Sequence, residues 1–129
     1  MFQPDTGNLN LMDCEKEKEM GLAHQEHRVY VDIAKGFREI RRAENAFYKD
    51  KLDSGVNHLA KALNDFSAAV DHAEKAADDA YDKAAKDIDK GNTELQKSID
   101  AYGDDDNDKA VKHYDRAVAH FDDALDLIV

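Results

Sequence analysis

Apolar side chains recur along this chain at steps of three and four residues, the spacing that gathers them on one stripe of an α-helix. Between residues 13 and 49, Met20, Ala23, Tyr30, Ile33, Phe37, Ile40 and Phe47 follow that rule and predict a first helix. Asp50 to Gly55 then supplies turn and N-cap residues, whose side-chain oxygens accept hydrogen bonds from the unpaired amides of a starting helix. The clearest period comes next. Val56, Leu59, Leu63, Phe66, Val70, Ala73, Ala77, Ala80 and Ala84 alternate steps of three and four without a slip, which predicts a helix over 54–90. The pair Gly91-Asn92 reads as a stop, because glycine ends helices in the left-handed conformation and Asn or Thr caps the next. A short helix over 93–102 follows, and Gly103 to Asp108 forms a second turn. The last helix, 107–128, carries Val111, Tyr114, Ala117, Val118, Phe121, Ala124, Leu125 and Ile128 on one face. Residues 1–12 hold Pro4 and Gly7 without periodicity and read as a flexible N-terminal arm before a single helical domain over 13–129.

Sliding the chain against itself by 55 positions aligns 32–71 with 87–126 without a gap, with 14 identities in 40 pairs. Gly36/Gly91, Glu39/Glu94, Asp50/Asp105, His58/His113 and Phe66/Phe121 are among them. A helical hairpin that cannot bury its own apolar face packs on its copy, so the expected fold is all-α: an up-down helical bundle built from two duplicated αα-hairpins. The alternative follows from the same alignment. If Gly91 is mid-helix, as Gly36 is, residues 53–102 form one continuous helix of roughly 75 Å and the molecule is an elongated three-helix arrangement.

Charge narrows the functional classes. With 29 acidic and 18 basic residues the net charge is −11, so the average surface repels a nucleic-acid backbone. No apolar run is long enough to span a membrane, and the single Cys14 forbids an internal disulfide, which together suit a cytoplasmic chain. The charge is divided unevenly: residues 1–51 hold 9 basic and 10 acidic side chains, residues 52–129 hold 9 and 19. Arg28, Lys35, Arg42 and Lys49 recur every seven residues as an outer stripe on the first helix, suited to docking an acidic face.

The sequence holds no Ser-His-Asp order, CxxC pair or phosphate-cradling glycine loop, which disfavours an enzyme, and no cofactor is implied. His24 and His27, three apart, are the candidate metal ligands, since that spacing puts both imidazoles on one helix face. Glu44 lies on the line Ile33, Phe37, Ile40, Phe47, level with His58 across the first turn, and the two form a candidate buried polar pair. Asp104 to Asp108 resembles the start of a calcium loop, but Lys109 stands where that loop needs glycine, so helix capping is the reading. Helices of unequal length would leave the long hairpin partly uncovered, and a homodimer burying Met20, Ala73, Ala77 and Ala84 is expected. The leading function is a non-catalytic protein–protein interaction or scaffold module that self-associates. The alternative is a small-ligand or metal-binding bundle.

Overall fold

A computed structural model describes the backbone of residues 6–129 and side chains from residue 23 onward. The described chain is all-helical: α1 (Thr6–Tyr48), α2 (Leu52–Lys75), α3 (Asp79–Gly103) and α4 (Asn107–Ile128), with no strand among the described residues. Three residues separate each helix from the next. α1 packs on α2 and α3 on α4 as two hairpins, which join through close packing of α2 on α3. This is the expected up-down bundle.

Two boundaries differ from those the sequence suggests. α1 begins at Thr6, inside the stretch read as an arm. The helix expected over 54–90 breaks at 76–78 instead of near Gly91, and the continuous 53–102 helix breaks at the same place, so the elongated three-helix alternative does not hold. Ala77 sits in the left-handed region at φ 54, and Asp78 is extended, its carboxylate accepting from the Ala80 amide at 2.8 Å. Charge suits the break: His72 and Lys75 end α2 where its dipole is negative, and Asp79 and Asp82 open α3 where it is positive. The three-four rhythm through Ala73, Ala77, Ala80 and Ala84 concealed it, because alanine fits a seam, a loop and a helix start equally well. The other two turns lie where expected, each closed by a left-handed aspartate, Asp50 at φ 59 and Asp105 at φ 61. Aspartate tolerates this conformation better than most side chains. After each, an amide reaches back five residues, Lys51 to the Ala46 carbonyl at 2.8 Å and Asp106 to the Ala101 carbonyl at 2.9 Å.

The core is built around two phenylalanines. Phe66 of α2 and Phe121 of α4 stack with ring centroids 3.6 Å apart and planes 11° from parallel. Phe37 of α1 stands beside the stack, near-perpendicular to both rings, at 5.6 and 6.4 Å. Behind the stack lie two of the buried glycines, Gly36 and Gly91, and neither ends a helix. A Cβ on Gly36 would stand 2.6 Å from the Phe66 ring, and one on Gly91 would stand 2.5 Å from the Phe121 ring. Glycine is needed there because the backbone approaches the ring face. Residues 55 positions apart thus meet each other, and they do so again at the turn end, where Phe47 stacks on Tyr102 at 4.7 Å. The two hairpins face one another in an approximate two-fold arrangement.

These contacts set two expectations for stability. Gly36→Ala and Gly91→Ala each force an overpacked core, costing about 1–3 kcal/mol, more than the roughly 1 kcal/mol alanine gains over glycine within a helix. Thermal melts should show both variants below wild type, with Gly103→Ala, which meets nothing within 4 Å, unchanged or higher. Ala77→Gly should raise stability by about 0.5–1 kcal/mol in urea unfolding by removing the left-handed penalty.

Candidate functional site

Each hairpin carries a polar seam along its outer edge. On α1, Asp32, Lys35, Glu39 and Arg42 follow one another at steps of three and four, and α2 sets His58, Asp65 and His72 opposite them at steps of seven. His58 Nδ1 lies 2.7 Å from Glu39 Oε2, and His72 Nδ1 lies 2.6 Å from Asp32 Oδ2. Arg42 donates to the other Glu39 oxygen at 2.7 Å. The second hairpin repeats the central pair, with His113 Nδ1 2.6 Å from Glu94 Oε2 and Lys97 standing 3.9 Å from Glu94 Oε1. Asp32 is buried and the paired histidines are half-buried, so each contact ties two helices together in a partly dry setting.

The seam shifts its carboxyls in opposite directions. Burial pushes Glu39 up, but the bonds and charges of His58 and Arg42 outweigh it and hold the carboxyl below its ordinary value. For Glu94 the His113 bond dominates, with Lys97 assisting against burial, and the result is again downward. Asp65 is raised, first by burial and then by Glu39 and Asp32, with Lys35 opposing.

These contacts correct the expected Glu44–His58 pair. His58 takes Glu39, because Glu44 lies five residues further on, about 140° around the helix, and faces α4 instead of α2. Glu44 is exposed and accepts from the Tyr114 hydroxyl across the α1–α4 seam. Burial, reinforced by that carboxylate, pushes the Tyr114 phenol well above its ordinary value. The sequence held a signal for the true pair, since Glu39/Glu94 and His58/His113 are both identities 55 residues apart and keep the same 19-residue separation.

α1 and α4 approach less closely than the other neighbouring helices and meet through long side chains. Tyr30 donates from its hydroxyl to the Ile128 carbonyl at one end, Phe37 reaches Phe121 midway, and Glu44 holds Tyr114 toward the other end. Cavities of about 470 and 390 Å³ open along this face, the first between Arg38, Arg41 and Asp122, the second over Phe47, Tyr48, Tyr102 and Tyr114. Exposed apolar side chains border the turn end: Tyr48 is 88% exposed and Val111 47%.

The other expected residues fall as follows. Arg28, Lys35 and Arg42 are exposed on α1. Ala73 and Ala84 are fully buried within one chain and cannot serve a dimer interface, because the bundle closes over the α2–α3 junction by itself. Ala77 is exposed in the link, and the Met20 side chain lies outside the described residues. His24 and His27 are exposed, and among the described residues no group of three or more His, Cys, Asp or Glu side chains converges to hold a metal ion. No described helix is long and apolar enough to cross a membrane. The chain matches no family model, no curated protein and no solved structure.

A pH dependence follows from the two lowered glutamates. Their folded values lie below the unfolded ones, so the stabilisation is complete above the unfolded carboxylate range and is lost as pH falls through the folded values. Asp65, raised in the fold, acts with the opposite sign in both proteins compared. Urea unfolding between about pH 6 and about pH 3 should show wild type losing more stability than Glu39→Gln/Glu94→Gln. Parallel declines would mean that the histidine pairs contribute nothing through ionised glutamate.

Proposed function

We propose that this protein is a non-catalytic helical interaction module, with the α1–α4 face as its working surface. The observation that carries the reading is the contrast between that face and the rest of the bundle: three helix pairs are closely packed and the openings at the α1–α2 and α3–α4 turns are lined mostly by polar and charged residues, while α1 and α4 stand further apart over cavities bordered by exposed aromatic and apolar side chains. An opening of this kind on a small bundle suits a partner's side chains. The histidine–carboxylate pairs tie helices together within each hairpin, away from the α1–α4 face; His58 and His113 border separate openings of about 230 and 400 Å³ at the hairpin turns, and each is held by its carboxylate partner, which favours a structural role.

Self-association is part of the proposal. Arg28, Lys35 and Arg42 on α1 and Lys49 just after it are exposed, whereas residues 52–129 hold 19 acidic against 9 basic side chains, so the basic stripe of one copy complements the acidic surface of another. A duplication of the hairpin underlies this arrangement in our reading, supported by the repeated glutamate–histidine pair, the repeated left-handed aspartate and the Phe66–Phe121 stack. A cytoplasmic setting agrees with the single cysteine.

Sedimentation at tens of micromolar should give a species of twice the 14.5 kDa chain mass, weakening as salt rises and in Arg28→Glu/Lys35→Glu. A monomer under all conditions would remove self-association. Native mass spectrometry of gently purified protein tests the broader reading, and stoichiometric metal, haem or another cofactor would replace it with a ligand-binding bundle.

A further inference from the structure

The cavity at the turn end of the α1–α4 face has a composition of its own. Phe47, Tyr48, Tyr102 and Tyr114 line one space of about 390 Å³ together with the exposed carboxylates of Glu44 and Asp115, and among the described residues no basic side chain lines it. An adjoining cavity of about 310 Å³ shares Phe47 and Tyr102 and adds Asp50. Aromatic faces carry negative electrostatic potential, and the carboxylates add full charges of the same sign. Of the Glu44 oxygens, Oε1 is held by Tyr114 and the other has no hydrogen-bond partner among the described residues. The phenols of Tyr102 and Tyr114 are pushed above their ordinary values, Tyr102 by burial and then Asp115, Tyr114 by burial and then Glu44, so both stay neutral and their ring faces stay intact.

The 55-residue correspondence shows that this chemistry is confined to one side. The positions matching Glu44, Tyr48, Tyr114 and Asp115 are Ile99, Gly103, Leu59 and Ala60: Leu59 is buried in the core and Ile99 packs against it, while Gly103 and Ala60 are exposed and carry neither a ring nor a charge. Four departures from the correspondence therefore converge on one cleft, and each supplies either an aromatic ring or a carboxylate.

From this juxtaposition we infer that the cleft is a receptor for a cationic side chain, arginine or lysine, presented by an exposed basic segment of a partner protein. The ligand class follows from the lining: the apolar stem of such a side chain covers the rings while its charged head meets Glu44 and Asp115. Arginine is the better fit, since its planar guanidinium stacks on aromatic faces and pairs with carboxylates through a fixed fork of donors. The inference rests on the interaction-module reading and adds the chemistry of the partner.

The test uses the full chain and a short capped alanine-rich peptide with one central arginine, followed by aromatic and methyl NMR and by titration calorimetry. The peptide should shift the resonances of Tyr48, Tyr102, Tyr114 and Val111. The same peptide with citrulline in place of arginine should bind roughly tenfold more weakly, the loss expected for one desolvated cation–π contact with a carboxylate behind it. Tyr48→Ala and Glu44→Gln change exposed positions, and Gln still accepts from Tyr114. Each should weaken the arginine peptide several-fold while leaving the melting temperature near that of wild type. Equal binding of the arginine and citrulline peptides, or shifts confined to another surface, would overturn the inference. Capped free arginine binding as tightly as the peptide would overturn the protein partner in favour of a small free cation, and peptide-driven dissociation of a dimer would overturn it in favour of a second copy. A protein that dimerises but ignores the arginine peptide would lose the cleft assignment and keep the module.

Discussion

The contact on which the bundle depends is the face-to-face stack of Phe66 on Phe121 between two glycines. Parallel rings in near register align their quadrupoles unfavourably, so the stack does not persist through aromatic attraction alone. It persists because the backbones of α1 and α3 come down onto the outer faces of the rings at Gly36 and Gly91. Phe37 then stands beside both rings at near-right angles, the T-shaped relation that quadrupoles favour. Helix spacing across the whole molecule follows from this layer: two rings thick between glycines, and wider wherever larger residues replace them.

The same layer explains why the two sides of the bundle differ. Phe37 occupies the α1–α4 side, and the position 55 residues later is Asn92. A ring inserted on one side holds α1 and α4 apart, and the smaller residue on the other lets α2 and α3 close. Long side chains then bridge the wider gap, Tyr30 to Ile128 and Tyr114 to Glu44. Each hairpin keeps its own histidine–glutamate tie regardless, because that tie lies on the outer edge, away from the interface between hairpins.

The helices and two of the three turns were legible in the sequence because large apolar residues at helical spacing, and aspartates between them, carry strong local preferences. The third turn was not. Around Ala77 the seam residues are alanines, too small to distinguish a buried position from an exposed one, and the capping information lies in Asp78 alone. Gly91 misled for a related reason: glycine marks both helix ends and close backbone approach, and only the position of Phe121 tells them apart. The partners of Glu44 were equally hidden. Periodicity assigns a residue to a face, whereas the helix that meets that face depends on how the hairpins dock, and Tyr114 lies 70 residues away. The cleft was illegible as a site for the same reason, since its lining comes from α1, α3 and α4 together.

The three-residue links have a consequence for how this chain folds. Because every connection is that short and the closest packing joins helices adjacent in sequence, most native contacts form after closure of small loops. Chains of low contact order cross their folding barrier in microseconds to milliseconds. Each hairpin gathers its own glutamate–histidine contact locally, whereas the phenylalanine stack requires α2 and α4 to meet across two turns and the whole of α3. On the grounds of loop closure the hairpins are expected to form before the ring layer, and substitutions at Gly36 or Gly91 to act chiefly on the rate of unfolding.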